Sequence, residues 1–186
     1  RHLKKQASTA IVLALLAIIL YVAFRFDNPL WGAAGVASIA HDVTITAGLF
    51  AALQVEVDLV IVAAFLTIAG YSINDTIVIF DRMRETLRAR RGAELGGVIN
   101  DSINEMRGRT VITNAMVFMV VVSLFVLGGP VIHNFAFALL IGSIVGTYST
   151  IGLATQLIYT WQGGKNRHQP APDAGAIKVK EGRRRK

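Results

Sequence analysis

The chain has no cysteine. Disulfide frameworks, thiol chemistry and Cys-ligated metal sites are therefore excluded. Proline is scarce, with four in 186 residues. Charge is scarce too: 17% of residues are charged and 53% hydrophobic, where a soluble domain is about one quarter charged. Between Thr110 and Gly164, a run of 55 residues, there is no Asp, Glu, Lys or Arg. A membrane span needs about 20 apolar residues, so this run alone is long enough for two. An ordinary soluble domain, a disordered chain and a collagenous one are all excluded. Nucleotide and metal motifs are missing as well. Lys165 follows Gly164, but a P-loop would need glycine where Tyr159 stands, and there is no GxGxxG or HExxH. His2, His41, His133 and His168 are scattered. The reading is of a non-enzyme with no cofactor, whose work would draw on an ion gradient or a partner.

What is present is a succession of apolar runs. They predict five spans, over about Gln6–Phe24, Trp31–Val55, Leu59–Phe80, Thr110–Leu127 and Val131–Trp161. Asp27-Asn28-Pro29 and Gly128-Gly129-Pro130 mark turns. The predicted fold is an all-α integral membrane protein, a bundle of five transmembrane helices over residues 9–161. Residues 1–8 would end a preceding extracytoplasmic segment. Residues 81–108 form a polar connector, expected as two helical pieces broken at Gly92 and Gly96-Gly97, with Ile99, Ile103 and Met106 at helical spacing. This amphipathic segment would lie on the membrane surface or against the helix ends. Residues 162–186 read as a disordered basic tail.

The net charge is +7, but the basic residues collect at the ends of apolar runs. That pattern suits membrane topology rather than nucleic acid. Five spans put the termini on opposite sides. With the tail cytoplasmic, 16 of the 19 Lys and Arg lie on the cytoplasmic side, as the positive-inside rule requires. Arg1, Lys4 and Lys5 remain outside.

Charges within spans carry the chemistry. A carboxylate in hydrocarbon costs several kcal/mol, so it faces the bundle interior and needs a partner. Asp42 lies near the middle of the second run, next to His41 and one turn from Ser38 and Thr46. Asp75 lies in the last turns of the third run, beside Asn74, with Tyr71 and Ser72 one turn earlier. Arg109 opens the fourth run and is the expected cation for Asp75, because the two spans are consecutive and antiparallel. Such a carboxylate could load and release an ion. A buried Asp–Arg pair can equally lock two helices together, and the residues leave both readings open. Gly142 and Gly146 form a GxxxG step, expected to be a helix-packing surface continued by Ser143, Thr147 and Ser149.

The block Gly70-Tyr71-Ser72-Ile73-Asn74-Asp75-Thr76-Ile77-Val78-Ile79-Phe80-Asp81-Arg82 resembles the signature of the SecF protein-export membrane subunits. His41-Asp42-Val43, Arg109-Thr110-Val111-Ile112-Thr113-Asn114 and Gly146-Thr147-Tyr148-Ser149 resemble further blocks of that family in the same order. The resemblance covers about Leu3 to Thr160. Asn114 stands where the family more often has Ser. A span and an extracytoplasmic domain normally precede these blocks, so the five runs resemble the family's second to sixth.

The resemblance implies half of a resistance-nodulation-division transporter membrane domain, paired with a SecD subunit. It implies work beside the SecYEG channel in the bacterial inner membrane, on unfolded preprotein, surrounded by lipid and without nucleic acid. The coupling ion would be a proton, or sodium in some members. Asp75 would carry it, Arg109 would be the coupled cation, and Asn74, His41 and Asp42 would assist. Two other readings stand beside this one: half of a small-molecule or lipid exporter of the same superfamily, and an uncoupled scaffold subunit.

Overall fold

The structure is a computed structural model that describes residues 2–26, 28–90 and 92–163. The expected tail from Gly164 onward lies outside the described residues. Five helical rods are present. They are α1 (His2–Arg25), α2 (Pro29–Ala52), α3 (Leu59–Ala89), α4 (Leu95–Leu127) and a last rod made of α5 (Gly129–Tyr148), a π-helical segment (Ser149–Ala154) and α6 (Thr155–Gly163). Four rods, α2 to the last, are each long and apolar enough to cross a membrane. In α1 the sequence is apolar from Ala10 to Phe24, after Lys4, Lys5, Gln6, Ser8 and Thr9 in its first turns.

Local chemistry sets the ends. Asn28 caps α2, accepting the Leu30 amide at 3.0 Å, and Pro29 takes the first helical position. Asp58 caps α3 by accepting the Ile61 amide at 2.9 Å. The turn from α3 to α4 uses Gly92 at φ +86°, and the turn into α5 uses Gly129 at φ +71°, a region glycine enters without steric cost.

The polar connector forms two helical pieces with the break at Gly92, as expected. Each piece is continuous with a span. Helix α3 continues unbroken to Ala89 and α4 begins at Leu95, so the two spans extend past their apolar runs as one antiparallel hairpin. Gly96 and Gly97 fall in the first turn of α4 and break nothing, and Gly96 packs against Tyr159. The hairpin is held by polar ties. Arg82 bonds Glu85 at 2.6 Å and also bonds Glu105, and Arg90 pairs with Asp101 at 2.7 Å. Arg25 pairs with Asp81, fastening the end of α1 to the same region. The last rod departs from a plain helix, since the π-helical segment interrupts it with no Pro in the sequence to announce it.

Two apolar clusters fill the bundle. One gathers Phe26, Trp31, Phe80, Met83 and Ile158, with Phe80 edge-on to both Phe26 and Trp31. The other gathers Phe50, Ile61, Ile68 and Ile141. Lipid tails are as apolar as these side chains, so helices in a membrane are held by close packing and polar contacts rather than by hydrophobic burial. The close packing centres on Gly142: a Cβ built there would lie 2.8 Å from Cγ2 of Ile68, inside van der Waals contact.

Candidate functional site

Between the two apolar clusters lies a layer of buried polar side chains. Asp42 is wholly buried on α2. One carboxylate oxygen accepts the Ser72 hydroxyl of α3 at 2.5 Å, and the other meets Nδ1 of His41 at 3.0 Å. The His41 side chain is 30% exposed, so this cluster reaches the bundle surface through the imidazole. Gly146 of α5 lies against it: a Cβ there would sit 3.7 Å from Oδ2 of Asp42 and 3.6 Å from Cβ of Ser72. Ser38 and Ser149 share a hydrogen bond of 2.8 Å, and Thr76 and Thr150 one of 3.2 Å. Both partners on the last rod come from the π-helical segment. Segments of this kind are often found at functional sites.

A second cluster lies one residue away on two of the same helices. Asn114 of α4 donates from Nδ2 to Oδ2 of Asp75 at 3.2 Å and to the Thr147 hydroxyl at 2.8 Å, and its carbonyl oxygen accepts the Tyr71 hydroxyl. The Thr147 hydroxyl donates in turn to the Ser143 carbonyl at 2.7 Å. Every polar atom of the Asn114 side chain is engaged, and each assignment fits the next. Adjacent residues on α3, Tyr71 and Ser72, serve different clusters. So do the adjacent Gly146 and Thr147 on α5.

The placement of the expected site residues is mixed. Asp75, Asp42 and His41 lie in the polar layer. Arg109 does not pair with Asp75: among the described residues no ion pair joins them, and Arg109 is exposed. The reason is axial level. Asn114 is level with Asp75, and Arg109 lies five residues back along α4, about 7.5 Å by helical rise. Asn74 is exposed. The residue that sequence reasoning passed over is Asn114, the direct partner of Asp75. Its signals were a carboxamide in a largely apolar run and its place at the end of a family-like block, neither of which assigned it a role.

The two clusters differ in closure. Asp42 is sealed inside this chain. Asp75 is half-buried, and its partner Asn114 reaches it from α4. In the apolar part of α4 only Thr110, Asn114 and Val121 are buried, while Val111, Ile112, Met116, Met119 and Val120 are each more than half exposed. A cavity of about 200 Å³ runs along this face past Asn114, Phe118, Ser143 and Thr147.

A bundle of apolar helices with two carboxylates held in its polar layer defines a polytopic membrane protein. Residues 1–164 match the family described as "Protein export membrane protein SecD/SecF, C-terminal", and the chain belongs to that family. It is 47% identical over 161 residues to the protein translocase subunit SecF of Endomicrobium trichonymphae, covering 87% of this chain and 52% of that one. It is 49% identical over 156 residues to SecF of Vibrio alginolyticus, covering 84% and 49%. Among solved structures it is similar to the crystal structure of SecDF, a translocon-associated membrane protein from Thermus thermophilus, at TM-score 0.82 and 41% identity, covering 86% of this chain and 22% of that one. The chain thus spans about half the length of the SecF relatives it matches.

Proposed function

We propose that this chain forms the SecF-type half of a gradient-coupled export motor, in which Asp75 carries the coupling ion. The observation that carries the reading is the half-buried Asp75 carboxylate held by Asn114. A charge near hydrocarbon is expensive, so the groove that runs past Asn114 on the exposed face of α4 calls for a protein partner rather than lipid. A SecD subunit, whose matching helices would pack on α4 and α5, is that partner. The fusion named SecDF in Thermus thermophilus, 42% identical over 168 residues to this chain, supports the pairing. The complex would sit beside SecYEG in the bacterial inner membrane with the tail cytoplasmic, and would help unfolded preprotein leave the channel without covalent catalysis.

In this mechanism Asn114 donates to the ionised carboxylate and positions it, with Tyr71 and Thr147 fixing the amide. Loading a proton, or sodium, on Asp75 neutralises it and weakens its hold on Asn114. Arg109 supplies the compensating positive charge when Asp75 is empty, by a swing of its long side chain along α4. A charge crossing the full membrane field gains ~2.3 kcal/mol per 100 mV, which ties the step to the gradient. His41 and Asp42 act as a secondary station.

The test is gradient-driven export in vesicles that hold equal amounts of each assembled variant. Asp75→Asn should abolish the gradient-dependent part and leave the complex assembled. Arg109→Met should come close to the same result, and Asp42→Asn should do less. Full activity in Asp75→Asn would remove Asp75 from the mechanism. Loss of assembly together with activity would favour the scaffold reading.

A further inference from the structure

At the end of the bundle where α1 meets α2, where α3 passes into its projecting part and where α6 stops, two cavities adjoin. One is about 230 Å³ and the other about 420 Å³, and they share Asn28, Leu87 and Gln162. Arg84 and Arg88 line the first beside Trp31. Trp161 and Leu95 line the second. The export reading uses none of these residues.

We propose that this paired cavity is a binding site for one anionic phospholipid, with Arg84 and Arg88 on the phosphate and Trp161 at the start of the acyl chains. Depth is the first argument. The apolar run of α3 ends at Phe80, and Arg84 and Arg88 follow by four and eight residues, about 6 and 12 Å at 1.5 Å per residue. The hydrocarbon core is about 30 Å thick and the whole bilayer about 40–45 Å. Side chains on α3 lean back toward its N-terminus, here toward the membrane, so both guanidiniums reach the headgroup layer. Trp161, 41% exposed, lies where tryptophan belts form.

Charge is the second argument. Among the described residues this end carries seven Arg against five Asp and Glu. Basic pockets between helices at a membrane surface select anionic headgroups. The lining is also mixed: two guanidiniums and two carboxamides stand among leucine and tryptophan side chains. A soluble anion needs no apolar wall. Arg84 is steadied by a hydrogen bond of 3.4 Å to the Arg25 carbonyl, which fixes one side of the site before any lipid enters.

The full chain, purified in a mild detergent with its membrane partners, is stripped of lipid stepwise, and retained phospholipid is read by native mass spectrometry. One phosphatidylglycerol should be held, and retention should fall at least tenfold in Arg84→Gln/Arg88→Gln. Arg84→Lys/Arg88→Lys should keep most of it, and circular dichroism on the same samples establishes that each variant is folded. The tail variant Arg183→Gln/Arg184→Gln should keep the retained lipid. Lipid lost in the tail variant and kept in the Arg84/Arg88 variant would overturn the proposal in favour of diffuse attraction. Stabilisation by inorganic phosphate equal to that by phosphatidylglycerol would overturn the lipid assignment in favour of a simple anion site. Retention unchanged in Arg84→Gln/Arg88→Gln, with the partner released instead, would make the cavity a protein interface and end the proposal.

Discussion

Asn114 condenses the residue-scale argument. A carboxamide can donate twice and accept twice, and here both donors and one acceptor site are used by three side chains from two other helices. Asp75 and Asp42 were legible in the sequence because a carboxylate in an apolar run has few harmless explanations. Asn114 was not, because its importance depends on which residues of α4 are level with Asp75. Apolar runs alone do not give that level, so Arg109, the cation that opens the fourth run, was the expected direct partner. Shortening the side chain should be graded. Asn114→Leu removes every polar contact to Asp75, Tyr71 and Thr147. Hydrogen bonds to charged groups are worth about 1.5–3 kcal/mol each, so the assembled complex should lose stability on that scale and gradient-driven export should fall nearly as far as in Asp75→Asn. Asn114→Ser keeps one hydroxyl donor and should retain most of the activity. Export at the normal rate in Asn114→Leu would show that Asp75 does not depend on this amide.

At the scale of elements, the spans were readable because their apolar runs are long and their turns carry Asn-Pro or Gly-Gly-Pro. The π-helical segment was not. Nothing in Ser149–Ala154 breaks a helix, and a π-turn there is fixed by the tertiary contacts of Ser149 and Thr150 with Ser38 and Thr76. The glycine step was readable as a packing surface, but the sequence does not rank its two members. The geometry does. At Gly142 an added Cβ runs into Ile68, which is buried, β-branched and stiff at χ1. At Gly146 an added Cβ has ordinary contact distances. Gly142→Ala should therefore cost about 1–3 kcal/mol, the usual range for overpacking, and Gly146→Ala much less. Gly146→Leu should be severe, because its branches would press on Asp42 and Ser72. Pairing Gly142→Ala with Ile68→Val removes one methylene from the clash and should restore part of the loss, since residues in contact couple. Thermal unfolding of the four single variants and the one pair measures this. Equal loss in Gly142→Ala and Gly146→Ala would refute the ranking.

The whole molecule fixes which segments share an end. The Arg25–Asp81 pair and the Gly96–Tyr159 contact bring the α1–α2 turn, the α3–α4 hairpin and α6 to one end of the bundle. The turn between α2 and α3, with Val57 exposed, and the turn at Gly128 and Gly129 lie at the other. Sixteen of the 19 basic residues belong to the first end or to the chain that leaves it at Gly163. The α2–α3 turn holds Glu56 and Asp58 and no basic residue, and the turn into α5 has no charge at all. Lys and Arg near the ends of spans are retained on the cytoplasmic side, whereas acidic residues have little influence. The hairpin end should therefore be cytoplasmic. The natural absence of cysteine makes this directly measurable, since a single introduced thiol is the only one on the chain. A cysteine at Gly175 should react with a membrane-impermeant maleimide only when the cytoplasmic face is open, as in inverted vesicles. A cysteine at Val57 should react in intact spheroplasts. Labelling in the opposite sense at both positions would invert the molecule. Labelling of both positions from one side would mean that one of the three rods between them fails to cross, against their lengths of 31, 33 and 34 residues.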